Sequence, residues 1–151
     1  MKHENFPESK QDVTTHVADT WLLANGLHFL MLLAVGWRWI FSLEAHYIGF
    51  LFLLALIIFA ASLPCLMIAY FSLDIIAKGL LPAKTLFLVW LVVCISVVFL
   101  EGLLGYLLLK DSTAYNLYSC MPALAATLFA VLFRYRQFGQ LIAHYKKCAA
   151  L

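Results

Sequence analysis

Charged residues are scarce in this chain of 151 residues: 12% are Asp, Glu, Lys or Arg, whereas 65% are hydrophobic. So much apolar surface exceeds what the core of a soluble protein of this size can bury. The sequence therefore predicts an integral membrane protein, in which lipid covers part of the apolar surface. The formal net charge is only +2, and no basic run exceeds the pair Lys146 and Lys147, so a nucleic-acid partner is not expected.

Motifs for metal, redox and hydrolytic chemistry are also missing. Cys65, Cys94, Cys120 and Cys148 include no CxxC pair and no metal-ligand spacing. The chain has no HExxH, no GxSxG and no pair of intramembrane aspartates. Haem is not expected either, because His28 has no second imidazole at a matching depth. We predict no catalytic residue, no metal site and no cofactor.

Long apolar stretches are what the sequence has in abundance. A helix of about 20 residues crosses a hydrocarbon layer of about 30 Å, since each residue adds about 1.5 Å. The sequence predicts an all-α polytopic membrane protein, a four-helix transmembrane bundle with short loops. Its predicted spans cover residues 21–41, 48–73, 85–109 and 117–134.

Two polar tails flank the predicted bundle. Residues 1–20 mix both signs of charge and lack the small-residue cleavage pattern of a signal peptide, so we expect a retained polar tail. This tail is either disordered or a short amphipathic helix at the membrane surface. Residues 135–151 are basic and keep apolar residues at helical spacing, which predicts an amphipathic helix at the membrane surface that continues the fourth span.

The distribution of Lys and Arg predicts the orientation of the bundle. The N-terminal tail, the connection between spans two and three and the C-terminal tail hold two, two and four of these residues. The other side holds Arg38 and Lys110, so the ratio is eight to two. Because basic residues accumulate on the cytoplasmic side, both termini are expected in the cytoplasm, in a bacterial inner membrane.

Glu101 is the predicted functional residue, because it lies inside span three. An acidic residue near the middle of a membrane helix costs about 2.5 to 3.5 kcal/mol, so it should face the bundle and have a partner. Arg38 in span one is the expected partner. The pair has three possible roles: a structural ion pair, a group that handles protons or cations, or a site for a charged partner. Gly102 and Gly105 would let a neighbouring helix approach closely.

A second polar position is expected in the inner half of the bundle. Asn25 and His28 share one face of span one by their i, i+3 spacing, and Ser62 and Cys65 lie at a similar depth in span two. Hydrogen bonds between the helices are the expected use of these groups. Pro64 lacks an amide hydrogen, so it should kink span two.

Small residues recur in span four, at positions Ala123, Ala126 and Ala130. This spacing is typical of close helix packing, either inside the bundle or against another protein.

These features favour a non-enzymatic protein that acts through helix–helix contact. It would be an accessory subunit of a membrane complex or a neutralising binder of a membrane target, with lipid and either another membrane protein or a second copy as partners. The alternative is a small homo-oligomeric channel or transporter that uses Glu101 for protons or cations. A lipid-handling enzyme that uses His28 or His144 is the third hypothesis, although no nucleophile–base spacing supports it.

Overall fold

The computed structural model consists of helices throughout the part of the chain that it describes, residues 6–40, 46–108 and 120–149. Side chains are described for residues 12–34, 52–53, 55–107 and 120–147. The helices are α1 (Phe6–Ile40), α2 (His46–Ala61), α3 (Leu63–Ala77), α4 (Ala83–Leu108), α5 (Met121–Phe133) and α6 (Tyr135–Ala149). The prediction of an all-α fold is confirmed for these residues. Of the predicted connections, residues 42–45 and 110–118 lie outside them, whereas His46 and Tyr47 are the first residues of α2.

Three helical stretches are long and apolar enough to cross a membrane: Asp12–Ala34, Ala55–Ala77 and Ala83–Leu107. The second of these runs through α2 and α3 with a turn at Ser62. The structure is therefore that of a helical membrane protein. The fourth predicted span corresponds to α5, whose 13 residues make it shorter than the others.

Helices α1, α3, α4 and α5 form the body of the bundle. Helix α1 packs against α3 and α5, and α4 packs against the same two helices, so each has two neighbours. Helix α6 continues α5 along α1 in the antiparallel sense, because Arg134 contacts Asp19 and His144 contacts Asp12. Within the described residues, α2 with α3 and α5 with α6 form interrupted columns beside α1 and α4.

Proline lies at the interruption between α2 and α3, and glycine ends the α3 column. The turn between α2 and α3 falls at Ser62, and Pro64 follows in the first turn of α3. Because Pro64 has no amide hydrogen, the carbonyl four residues earlier loses its helical donor. Gly79 ends the α3 column: its amide donates to the Ile76 carbonyl at 2.9 Å. A Cβ at Gly79 would lie only 3.1 Å from a methyl group of Leu86.

The charged end of the bundle, formed by the start of α1, the end of α3, the start of α4 and α6, contains most of the buried hydrophobic core. Its buried apolar residues are Val13, Val17, Leu73, Ala77, Leu86, Phe87, Trp90, Phe138, Leu141, Ile142 and Tyr145. The Trp90 indole stacks on the Phe138 ring with centroids 5.5 Å apart. Burial of Tyr145, together with the nearby Asp74 carboxylate, raises the pKa of its hydroxyl.

The described residues of both predicted tails are helical, and the two helices pack against each other. Residues 6–20 are the first turns of α1, and Val13 and Val17 are buried in the protein rather than solvated. The apolar side of α6 covers them, so Phe138 and Ile142 face protein instead of lipid. The physical reason is that the two apolar stripes are complementary: Val13 and Val17 recur every four residues, as do Phe138 and Ile142.

Candidate functional site

A cavity of about 350 Å³ lies inside the bundle, between α1, the α2–α3 column, α4 and α5. Apolar side chains make most of its wall. Its polar groups come from Thr20, Trp21, Asn25, His28, Ser62, Cys65, Trp90, Cys94, Glu101, Cys120 and Thr127. The structure therefore brings five polar residues that the sequence singled out to one space between the helices: Asn25, His28, Ser62, Cys65 and Glu101.

A hydrogen-bond network closes one side of this cavity. The Trp21 indole donates to the Ser62 hydroxyl at 3.0 Å, and the Asn25 amide donates to the Trp21 carbonyl at 3.0 Å. The Ser62 hydroxyl lies 3.1 Å from the Asn25 side-chain oxygen and 3.0 Å from the Phe59 carbonyl, and its single proton serves one of them at a time. These bonds tie α1 to the turn between α2 and α3, where the sequence predicted contact between spans one and two.

Glu101 is joined to Cys65 rather than to a basic residue that the structure describes. The Cys65 thiol donates to Oε2 of Glu101 at 2.8 Å. Arg38 lies in α1, but its side chain is outside the described residues, so the predicted Arg38–Glu101 pair stays a prediction. This hydrogen bond joins α3 to α4. The second carboxylate oxygen of Glu101 contacts no Lys or Arg among the side chains that the structure describes.

The small residues that the sequence singled out, the alanines of α5 and the glycines of α4, lie where helices meet. Ala126 and Ala130 are fully buried, whereas Ala123 is half-buried and lines the cavity. Gly102 is buried against Cys120, and a Cβ at Gly102 would clash with the thiol of that residue. Gly105 is half-buried. The alanine stripe of α5 therefore packs inside the bundle of the same chain, which is one of the two uses that the sequence predicts.

A second feature lies at the charged end, where the α3–α4 hairpin exposes large apolar side chains. We call Phe71, Ile75, Leu80, Leu81 and Leu88 the hairpin patch; their exposed fractions range from 52% for Leu81 to 99% for Leu80.

Contacts with α6 show where the hairpin patch lies along the axis of the bundle. We call this position its height. Lys146 donates to the Leu81 carbonyl at 2.7 Å, and the Tyr145 hydroxyl lies 3.5 Å from an Asp74 oxygen. The Asp19–Arg134 ion pair, with a distance of 3.0 Å, lies 12 residues back along the α5–α6 column. At about 1.5 Å per residue, the tip of the hairpin extends about 18 Å beyond that ion pair.

The side of the bundle made by α1 and α6 is polar over the same height. The Asp12 carboxylate contacts the His144 ring at 2.8 Å, and both side chains are exposed by more than 40%. Arg136 and Lys147 of α6 are also exposed. Apolar and charged side chains thus share one level of the molecule, and the hairpin itself carries the exposed residues Lys78 and Lys84 beside its apolar side chains.

Several residues of the site were not singled out from the sequence. Trp21 and Cys120 belong to the site only through their contacts across the bundle, which no local sequence pattern predicts. Among the residues that the structure describes, no group of three or more His, Cys, Asp or Glu side chains is placed to hold a metal ion.

Comparison of this chain with protein-family models, with curated proteins and with solved structures gives no match.

Proposed function

We propose that this chain is a non-enzymatic integral membrane protein that acts through contact with another membrane protein, as an accessory subunit or as a neutralising binder. The observation that carries the proposal is the hairpin patch. No single position of the hydrocarbon layer covers this patch and also leaves the exposed charges of α1 and α6 in water. If the hydrocarbon layer ends at the Asp19–Arg134 pair, the patch lies in the polar phase. If it ends at Leu80 and Leu81, the exposed charges of α1 and α6 lie in hydrocarbon, where each is costly.

Tilting the bundle does not resolve this conflict. Membrane helices tilt by about 20° on average, and a bundle about 20 Å wide would gain only about 7 Å of height difference from that tilt. About 10 Å of the hairpin patch stays uncovered. Exposed apolar patches of this kind are typical of protein–protein contact. An apolar helix of a partner, lying beside α3 and α4, would cover the patch and leave the charges in water.

The test is affinity purification in a mild detergent, with polar substitutions inside and outside the hairpin patch. We expect a partner to co-purify with the native chain and to be lost with Ile75→Asn. Leu104→Asn is the matched control, because Leu104 lies on α4, away from the charged end, and is similarly exposed, at 57% against 69%. Equal recovery of the partner with both variants, or recovery of none with the native chain, contradicts the proposal.

We also propose the finer topology: residues 117–134, which include α5, make a fourth crossing, and both termini are cytoplasmic in a bacterial inner membrane. The ratio of basic residues, eight to two, supports this orientation. Fluorescent-protein fusions that mature only in the cytoplasm should be bright at both ends of the chain. A dark fusion at one end contradicts the even number of crossings.

One observation favours the second candidate, a small channel or transporter. Glu101 is half-buried and lines the cavity between the helices. Proton or cation flux into liposomes that contain the purified chain, abolished by Glu101→Gln without loss of the partner, would favour transport over the accessory role. Partner binding without flux would favour the accessory role.

A further inference from the structure

The shape of the cavity limits what it can hold. Its lining on α4 runs from Trp90 to Gly102, which are 12 residues apart, so it is about 18 Å long by helical rise. A volume of about 350 Å³ spread over that length makes the cavity elongated, as the binding of a single-chain ligand requires.

The wall of the cavity is mostly apolar, with Val17, Ala69 and Val131 among its side chains. Its polar groups are spread along it, from Trp90 and Thr20 to Glu101. Glu101 is the one carboxylate among the described lining residues, and it lies 11 residues from Trp90 along α4.

The carboxylate sets the charge of the ligand. Cys65 donates one hydrogen bond to Oε2, and no Lys or Arg among the described side chains pairs with Glu101. A buried carboxylate is stabilised by a cation that also donates hydrogen bonds, and such charge-assisted bonds are about twice as strong as neutral ones. An ammonium group satisfies both requirements.

We propose that the cavity binds a single-chain amphipath with an amine head group, with the ammonium beside Glu101 and the alkyl chain extending towards Trp90. Ile57 and Ala61 of α2 line the cavity and are exposed, so the wall on this side adjoins the surrounding lipid. The ligand enters from the membrane, where single-chain amphipaths accumulate. Binding at this site does not depend on the partner proposed for the hairpin patch.

Head-group selectivity of the native chain tests the proposal without any substitution. The chain is placed in nanodiscs of neutral lipid, and native mass spectrometry counts bound dodecylamine, dodecanol and dodecyl sulfate at equal concentrations. We expect one dodecylamine per chain, bound at least tenfold more tightly than dodecanol, with no dodecyl sulfate bound. Equal binding of the three compounds, or binding of none, overturns the proposal.

Two substitutions then locate the ligand. Glu101→Gln should reduce the affinity for dodecylamine about tenfold or more and bring it to that of dodecanol, because the ion pair is lost. Asp74→Asn, a matched change outside the cavity lining, should leave it unaltered. Ala24→Phe fills the cavity and should abolish binding of dodecylamine, whereas Ala34→Phe on the exposed side of the same helix should not. Full affinity in Glu101→Gln or Ala24→Phe contradicts the assignment.

Discussion

At the scale of single residues, the polar side chains inside the bundle are paired with one another. Ser62 is central, because its hydroxyl accepts from Trp21 and lies within hydrogen-bond distance of Asn25 and Phe59. The sequence indicated the contact between Asn25 and Ser62 through their similar depths. It did not indicate the thiol–carboxylate bond of Cys65 and Glu101, because charge complementarity pointed to Arg38 and a thiol is a weak donor.

Ser62→Ala should destabilise the folded bundle by about 1 kcal/mol, since hydrogen bonds between membrane helices average about 0.6 kcal/mol and this hydroxyl has more than one partner. The measurement is the unfolding free energy in mixed micelles. Ser96→Ala is the control, because Ser96 is exposed on α4, and it should change the unfolding free energy by less than half as much. The reverse order of the two variants would mean that the network does not stabilise the fold.

At the scale of helices, hydropathy predicted the apolar segment of each helical column but not where each helix begins and ends. The N-terminal segment reads as a polar tail because Lys10, Asp12 and Asp19 dilute the apolar signal of Val13 and Val17. Its residues Val13 and Val17 pack in the same core as α6, more than 100 residues away along the chain. Local hydropathy does not predict such tertiary contacts.

Phe138 is the residue that best reports the docking of α6 on α1. It is fully buried and packs against the rings of His16, Phe87 and Trp90. Phe138→Ala should cost about 3 to 5 kcal/mol and speed amide hydrogen exchange in residues 12–20. Phe133→Ala, at a position that is 81% exposed, should do neither. Unchanged exchange in Phe138→Ala would show that α1 does not need α6.

The alanine stripe makes the close contact between α1 and α5. Ala126 and Ala130 are fully buried, so a larger side chain has no space without a shift of the helices. Ala130→Leu should cost about 1 to 3 kcal/mol of unfolding free energy. Ala60→Leu, on the exposed side of α2, should be neutral. Equal stabilities of the two variants would contradict the close packing.

At the scale of the whole molecule, composition predicted a helical membrane protein, and three helices of sufficient length and hydropathy support it. The cavity and the hairpin patch could not be predicted, because both depend on the relative heights of the columns. Those heights follow from contacts such as Lys146 to Leu81 and Arg134 to Asp19, which no local pattern encodes. The exposed apolar tip beside a charged helix is the feature that connects the fold to the proposed function.

The most direct test of that function is site-specific photo-crosslinking in intact membranes. A photoreactive amino acid is placed at Ile75 in the hairpin patch, and in a second variant at Leu104, away from the charged end of α4. The account predicts a discrete protein adduct from position 75 and only lipid adducts from position 104. Lipid adducts alone at position 75, as at position 104, would contradict the proposal that the patch contacts a membrane protein.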